Sequence, residues 1–365
     1  WLQSDLSSPK TYREEVKKFC PEIVVYLSWQ DIPDFSLDKS LLNLKQSLEL
    51  LNFILDFESC KKIIVSGSCF ELNQLQGKCL EVNEGEAKDH FTWAKLCLYS
   101  WLKMICRQKK IDLAWMRIFY VYGPRQRPES LIPSILTNLK QGKLQELRTP
   151  KNANDFIYVD DIADAFSKAV SVNNNSMIYN LGTGVSTSVL EVCRIAEKIV
   201  LGTETLTQEM DSKSKGTSCD VDFWADITQS KKYLDWQPTT SLVDGIGIRL
   251  SENKFSYLFW MLLLNGIPVL LISIFPSYTD SRLSTFTPSF NQPPHVAPVR
   301  GTPPAIYSAK PNEFRRSLVV SSGSTLINRN TLGNFSSIYS QPNPLAFPAQ
   351  QHPTAPLPPL QVWDS

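Results

Sequence analysis

The chain has 365 residues, a hydrophobic fraction of 42% and a formal net charge of +1. That size supports a substantial core in two domains, or in one large domain with an extension, and the balanced charge argues against nucleic acid or an anionic membrane surface as partner. Eight cysteines without a Cys-x-x-Cys pair and only three histidines (His90, His295, His352) argue against a metal site, and fit the reduced thiols of a cytoplasmic protein better than a disulfide framework. No signal peptide is visible, and the first residue, Trp1, suggests that the natural start lies further upstream.

In chain order, residues 22–28 read as a buried strand. Residues 38–56 carry Leu41, Leu44, Leu48, Leu51 and Leu55 at helical spacing. Residues 62–66 read as a second strand. Residues 91–108 form a helix with Phe91, Ala94, Leu98, Trp101, Leu102 and Ile105 on one face, and residues 111–119 a third strand. Strands alternating with helices imply a parallel sheet with right-handed crossovers. Ligands of such sheets bind beyond the carboxyl ends of the strands.

Composition changes near residue 250. Residues 255–276 are apolar enough to read as a membrane-spanning helix, interrupted by Asn265, Gly266 and Pro268. Arg249 and Lys254 before it would keep the folded part on the cytoplasmic side. A buried helix is the alternative. Residues 277–365 hold 14 prolines between Pro288 and Pro359 and only nine charged residues, the composition of a disordered tail. Pro356-Leu357-Pro358-Pro359-Leu360 could form polyproline II, though a plainly flexible tail is the simpler reading.

Six segments then occur in one order. Ser66-Gly67-Ser68-Cys69-Phe70 ends a strand. Phe91-x-x-x-Lys95 opens a helix. Residues 117–128 begin Arg-Ile-Phe-Tyr-Val-Tyr-Gly-Pro. Residues 155–163 read Asp-Phe-Ile-Tyr-Val-Asp-Asp-Ile-Ala. Tyr179-Asn180-Leu181-Gly182-Thr183-Gly184 makes a turn. Asp226 and Trp236-Gln237-Pro238 close the set. In this order the segments resemble the extended short-chain dehydrogenase/reductase family, nearest to its nucleotide-sugar epimerases and dehydratases. The resemblance implies an α/β Rossmann-like, doubly wound parallel sheet, N-terminally incomplete, with a smaller C-terminal substrate domain. It places an NAD(P)-binding unit over residues 1–250, with substrate-binding parts mainly at 120–150 and 176–245. It also implies NAD or NADP as cofactor, a nucleotide-sugar substrate, a role in surface-polysaccharide precursor synthesis and, by analogy alone, a homodimer.

The chemistry needs a group that takes a hydroxyl proton while hydride leaves the same sugar carbon. In the family a tyrosine does this, its pKa lowered by a lysine one turn along the same helix face. A nearby Ser or Thr hydroxyl assists. By resemblance Ser68 is that hydroxyl, Lys95 the ammonium, and Phe91 stands in the base position. The cofactor would lie against Leu27, Ser28, Trp29, Asn43, Ser66, Lys95 and Ile118. The substrate would meet Tyr120, Arg125 and Asn154.

Three departures stand out. Phenylalanine cannot exchange a proton, and losing a positioned base costs about 10²–10⁴ in rate. His90 faces about 100° away around the helix, Tyr99 lies one turn too far, and Tyr120 is the better replacement. The family's glycine-rich pyrophosphate turn has no counterpart, as expected of a sequence entering the fold late. Asn154 stands where the family carries an arginine toward the substrate diphosphate; Arg125, Arg148 or Lys151 could compensate. Three readings stay open: a weakened or rerouted enzyme, a non-catalytic nucleotide-binding relative, and a membrane-tethered interaction protein.

Overall fold

The computed structural model describes residues 2–4, 6–72, 76–83, 85–124, 126–172, 177–214, 218–250, 269–274 and 317–322. Leu2–Gln3 is a short strand (β1), and Arg13–Phe19 a short helix (α1) that ends where Cys20 turns left-handed. Ile23–Tyr26 (β2) is buried at all four positions, as a strand covered on both faces must be. Leu37–Leu55 (α2) follows. Its inward stripe differs from the leucine pattern: Leu41 is 42% exposed, while Asn43 and Ser47 are buried. The two polar residues face inward because they carry hydrogen bonds. Asn43 holds the backbone of Gln30, and Ser47 bonds the Tyr26 hydroxyl at 2.7 Å.

Lys62–Ser68 (β3) is buried throughout, and Gln76–Cys79 (β4) follows a one-turn helix. His90–Lys109 (α3) starts at a capping box. Asp89 Oδ1 accepts from Thr92 N at 2.7 Å, and Thr92 Oγ1 accepts from Asp89 N at 3.1 Å. Asp112–Ile118 (β5) and Tyr120–Tyr122 (β6) come next, then helix Leu131–Leu139 (α4). Ala153–Asn154 (β7), Phe156–Tyr158 (β8) and helix Val159–Ser171 (α5) precede Met177–Leu181 (β9) and Thr187–Ser188 (β10). Helices Val189–Leu201 (α6) and Thr205–Lys213 (α7), strand Asp222–Ala225 (β11), and helices Thr228–Leu234 (α8) and Leu242–Leu250 (α9) follow. Val269–Ile274 (β12) and Ser317–Ser322 (β13) are the last described strands.

Seven strands form one parallel sheet in the order β1-β13-β12-β2-β3-β5-β9. Alternate residues of its middle strands point into two separate cores. Val25, Ile64 and Met116 join the helices α5 and α6 on one face; Val24, Ile63 and Trp115 join α2 and α3 on the other. That two-sided burial is the doubly wound α/β architecture expected from the strand–helix order. The sheet grows one way from β2 through β3, β5 and β9, and the other way from β12 to β13. Its switch point is therefore the crevice between β12 and β2. A second sheet, β10-β7-β11-β4, and the pair β6-β8 build the smaller lobe.

The membrane-spanning helix expected over 255–276 finds no support. Val269–Ile274, inside that stretch, is a strand paired with β2 in register Val269 to Ile23 through Ile272 to Tyr26. Among the described residues no helix is long and apolar enough to cross a membrane. A short, mostly apolar run between Pro268 and Pro276 satisfies a sheet interior as well as it satisfies lipid. The rest of 255–276 lies outside the described residues, as does the expected disordered tail at 277–365 apart from Ser317–Ser322.

Candidate active site

The carboxyl ends of β2 and β3 meet the first turns of α3. Lys95, 1% exposed, reaches from α3 to donate to the Ser66 carbonyl at 3.0 Å. Its ammonium stands 4.2 Å from the centroid of the Trp29 ring. Burial pulls its pKa down to about 8, against the charge of Glu71, which acts the other way. Phe91, one turn earlier on the same face and 3% exposed, stacks on Phe35 at 4.6 Å and meets Trp29 edge-on at 5.5 Å. The aromatic belt continues across the strand ends from Phe35 to Phe70 (6.4 Å), Tyr120 (5.9 Å further) and Phe156 (5.8 Å further).

Ser68 closes β3. Its Oγ accepts from Phe70 N at 3.2 Å, and its own N–H donates to Glu71 Oε1 at 2.8 Å. Glu71 is fully buried and also accepts from Trp115 Nε1 at 2.8 Å and Arg117 Nε at 3.2 Å. Arg117 Nη1 in turn donates to Asn83 O at 2.8 Å. A Cβ at Gly67 would lie 2.3 Å from Trp115 Nε1, so the turn bearing Ser68 packs directly on this network. Glu71 and Trp115 were not singled out in the sequence. No spacing rule pairs residues on neighbouring parallel strands, and a lone Glu after a strand reads as surface.

Among the cofactor residues expected by resemblance, Leu27, Ser28 and Trp29 follow β2 at the switch point, and all are buried. Asn43 fixes that segment: its Oδ1 accepts from Gln30 N at 2.6 Å and its Nδ2 donates to Gln30 O at 3.2 Å. Ser66 lies under Lys95, and Ile118 is core at the end of β5. The structure thus gathers Trp29, Ser66, Phe91 and Lys95, with Ser68 two residues beyond Ser66. Tyr120 joins through the aromatic belt but does not replace the missing base. It is 8% exposed, and burial, with a contribution from Cys69, pushes its phenol well above the usual value, so it stays protonated at neutral pH. His90 is exposed, and Tyr99 turns to Trp115 at 5.1 Å. Arg125 lies outside the described residues.

In the smaller lobe Asp155 is a structural anchor. It accepts from Thr183 N (2.7 Å), Thr183 Oγ1 (2.6 Å), Gly184 N (2.9 Å) and Ala225 N (3.1 Å). A Cβ at Gly182 would come within 2.5 Å of its Oδ2, which explains the glycine of that turn. Next to it Asn154 is buried, and its Oδ1 has no hydrogen-bond partner among the described residues. Ser186 Oγ is in the same condition. The two flank one strand pair, since Asn154 is in register with Thr187. Buried polar atoms left so are uncommon and mark a place for water or a polar ligand.

Residues 1–182 match the NAD dependent epimerase/dehydratase family. The chain is 30% identical over 150 residues to the uncharacterized UDP-glucose epimerase YtcB of Bacillus subtilis, covering 40% of this chain and 45% of that protein. It spans less than half the length of the first curated relatives it matches. The fold resembles UDP-glucose 4-epimerase of Thermotoga maritima solved with UDP-glucose, with a TM-score of 0.58 and 21% identity over 68% of this chain and 82% of that one. It also resembles a tyrosine-to-phenylalanine mutant of UDP-glucuronic acid 4-epimerase from Bacillus cereus, in complex with UDP-4-deoxy-4-fluoro-glucuronic acid and NAD. There the TM-score is 0.54 at 21% identity, over 68% of this chain and 79% of that one. With the six segments, the sheet and the family match in agreement, the chain belongs to the extended short-chain dehydrogenase/reductase family, that of the NAD-dependent epimerases and dehydratases.

Proposed function

We propose that this protein is an NAD(P)-dependent nucleotide-sugar epimerase, dehydratase or ketoreductase, serving surface-polysaccharide precursor synthesis, whose base position has lost its phenol. The carrying observation is the buried Lys95 amine bonded to the Ser66 carbonyl, two residues before Ser68, at the carboxyl end of a parallel sheet next to its switch point. When bound, the dinucleotide supplies the hydride acceptor. The described residues fit its nicotinamide end. An ammonium has three donors, and Lys95 commits one to Ser66 O, which leaves capacity for the hydroxyls of a ribose. Leu27, Ser28 and Trp29 would wall that end, Asn43 would hold them in place, and Ile118 would close the floor. Ser68 would hold the reacting oxygen, its backbone fixed by Glu71.

Asn154 and Ser186, whose buried oxygens have no hydrogen-bond partner among the described residues, are proposed to meet the polar substrate, with Tyr120 and Arg125 at its rim. The substrate residues come mainly from 120–150 and 176–245. The Bacillus cereus neighbour supports this reading, since its mutation to phenylalanine is compatible with bound sugar nucleotide and NAD. Turnover of UDP- and dTDP-hexoses by the purified chain with NAD or NADP tests the proposal. Phe91→Tyr should raise the rate. No dinucleotide binding by either form would sink it.

A second reading has its own observation. Phe91 is packed between Phe35 and Trp29 as ordinary core, which suits a non-catalytic, nucleotide-binding relative. Dinucleotide binding without turnover, unchanged by Phe91→Tyr, would favour it.

A further inference from the structure

We infer that the amine of Lys95 is itself the proton acceptor of this site, in place of the missing phenol; the inference rests on the hydride chemistry proposed above. Lys95 is a fully buried amine, and among the described residues no carboxylate lies within ion-pair distance of it. A buried charge without a partner is costly, so such a group exchanges its proton readily.

The surrounding groups leave the role to Lys95. On α3, Phe91 has no proton, Asp89 caps the helix and His90 faces solvent. From β2, the Tyr26 hydroxyl is bonded to Ser47 and its pKa is pushed up to about 12 by burial. From the turn after β3, the Cys69 thiol is raised well above its ordinary value by burial. Glu71 is engaged by Ser68 N, Trp115 and Arg117. From β5, Arg117 is tied to Glu71 and to Asn83 O. From β6, Tyr120 is held protonated by its burial. Of these groups, Lys95 is the one whose proton burial loosens toward the neutral range, to about 8. The Ser66 carbonyl and the Trp29 face then receive the ammonium once the proton has arrived.

The step balances. The substrate O–H bond breaks and its proton goes to Lys95 Nζ. The electron pair of the adjacent C–H bond leaves as hydride to the oxidised nicotinamide dinucleotide, and the C–O bond becomes a carbonyl. In the return step the ammonium gives the proton back as hydride returns to carbon.

Nitrogen-15 NMR of lysine side chains in the full chain, with the Lys95 signal assigned through Lys95→Arg, reads the amine directly. It is expected to titrate about two units below the exposed lysines, and kcat/KM for sugar oxidation should rise to a plateau through the same pH. Lys95→Arg keeps a cation but cannot accept a proton. It should lose turnover by about 10²-fold or more, with kcat measured at saturating dinucleotide. A Lys95 midpoint among the exposed lysines overturns the inference, even with dinucleotide binding and turnover intact. So does a turnover that ignores the Lys95 midpoint, or no turnover at all. Loss of dinucleotide binding in the wild type would instead strike the proposed function itself.

Discussion

The scaffold from β7 to α8 and the candidate site both bury ionisable groups, and Lys95 is treated unlike the scaffold carboxylates. Asp155 has four donors within 3.1 Å. Asp161 accepts from Thr239 N, Thr239 Oγ1 and Thr240 N at 2.9–3.1 Å. Glu197 accepts from Thr203 Oγ1, Leu206 N and Thr207 N. Glu81 gathers Asn180 N, Ser230 N and Ser230 Oγ, and thereby ties β9 to α8. Lys95 has one carbonyl and one aromatic face. A carboxylate ringed by backbone donors is scaffold: burial raises the pKa of Asp155 and of Glu81, and the surrounding donors work against that rise. An amine left under-satisfied is a group held ready for something else.

The comparison can be broken by substitution. The largest effect is expected at Asp155. Asp155→Ala strands three backbone N–H groups and should lower stability by about 3–5 kcal/mol in denaturant titrations. A loss under 1 kcal/mol would show that the donors find other partners. Glu71→Gln keeps the shape but removes the charge facing Arg117 and should cost about 3 kcal/mol. It should also lower turnover if the turn carrying Ser68 is displaced. At Lys95 the sign reverses: Lys95→Met should stabilise the protein by about 1–3 kcal/mol at pH 7 while abolishing turnover, since a group kept for chemistry is a burden on the fold. Ser47→Ala removes the partner of the Tyr26 hydroxyl and should cost about 1 kcal/mol by thermal melting. The exposed pair Lys213–Glu209 should be removable with no measurable change.

Much of the first lobe was legible. Hydrophobic runs placed β2, β3 and β5, and amphipathic spacing placed α2 and α3 to within a few residues. These elements are governed by local periodicity, and local periodicity is what a sequence displays. The Phe91–Lys95 spacing likewise put both residues on one buried face. What was not legible depends on partners distant in sequence. Trp29 over Lys95 joins residues 66 positions apart, and Glu71 with Arg117 joins the turn after β3 to β5. The inward turn of Asn43, beside the buried Leu44 and Leu51 of the leucine pattern, is not visible in that spacing because its value lies in bonds to Gln30. The pairing of Val269–Ile274 with β2 was masked by an apolar run that suits lipid and sheet alike.

The central claim is that Lys95 is a buried amine whose charge meets, among the described residues, one carbonyl and one aromatic face but no carboxylate within ion-pair distance. The most direct test is the stability difference between Lys95→Met and the wild type, measured from pH 7 to 10.5. The folded-state pKa, about 8, lies below the unfolded value of about 10.4. The charging penalty is therefore complete below pH 8 and disappears as pH rises through the unfolded value. The advantage of Lys95→Met should accordingly shrink by up to about 3 kcal/mol across that range. An advantage that stays constant with pH, or a Lys95→Met protein less stable than wild type at pH 7, would contradict the account.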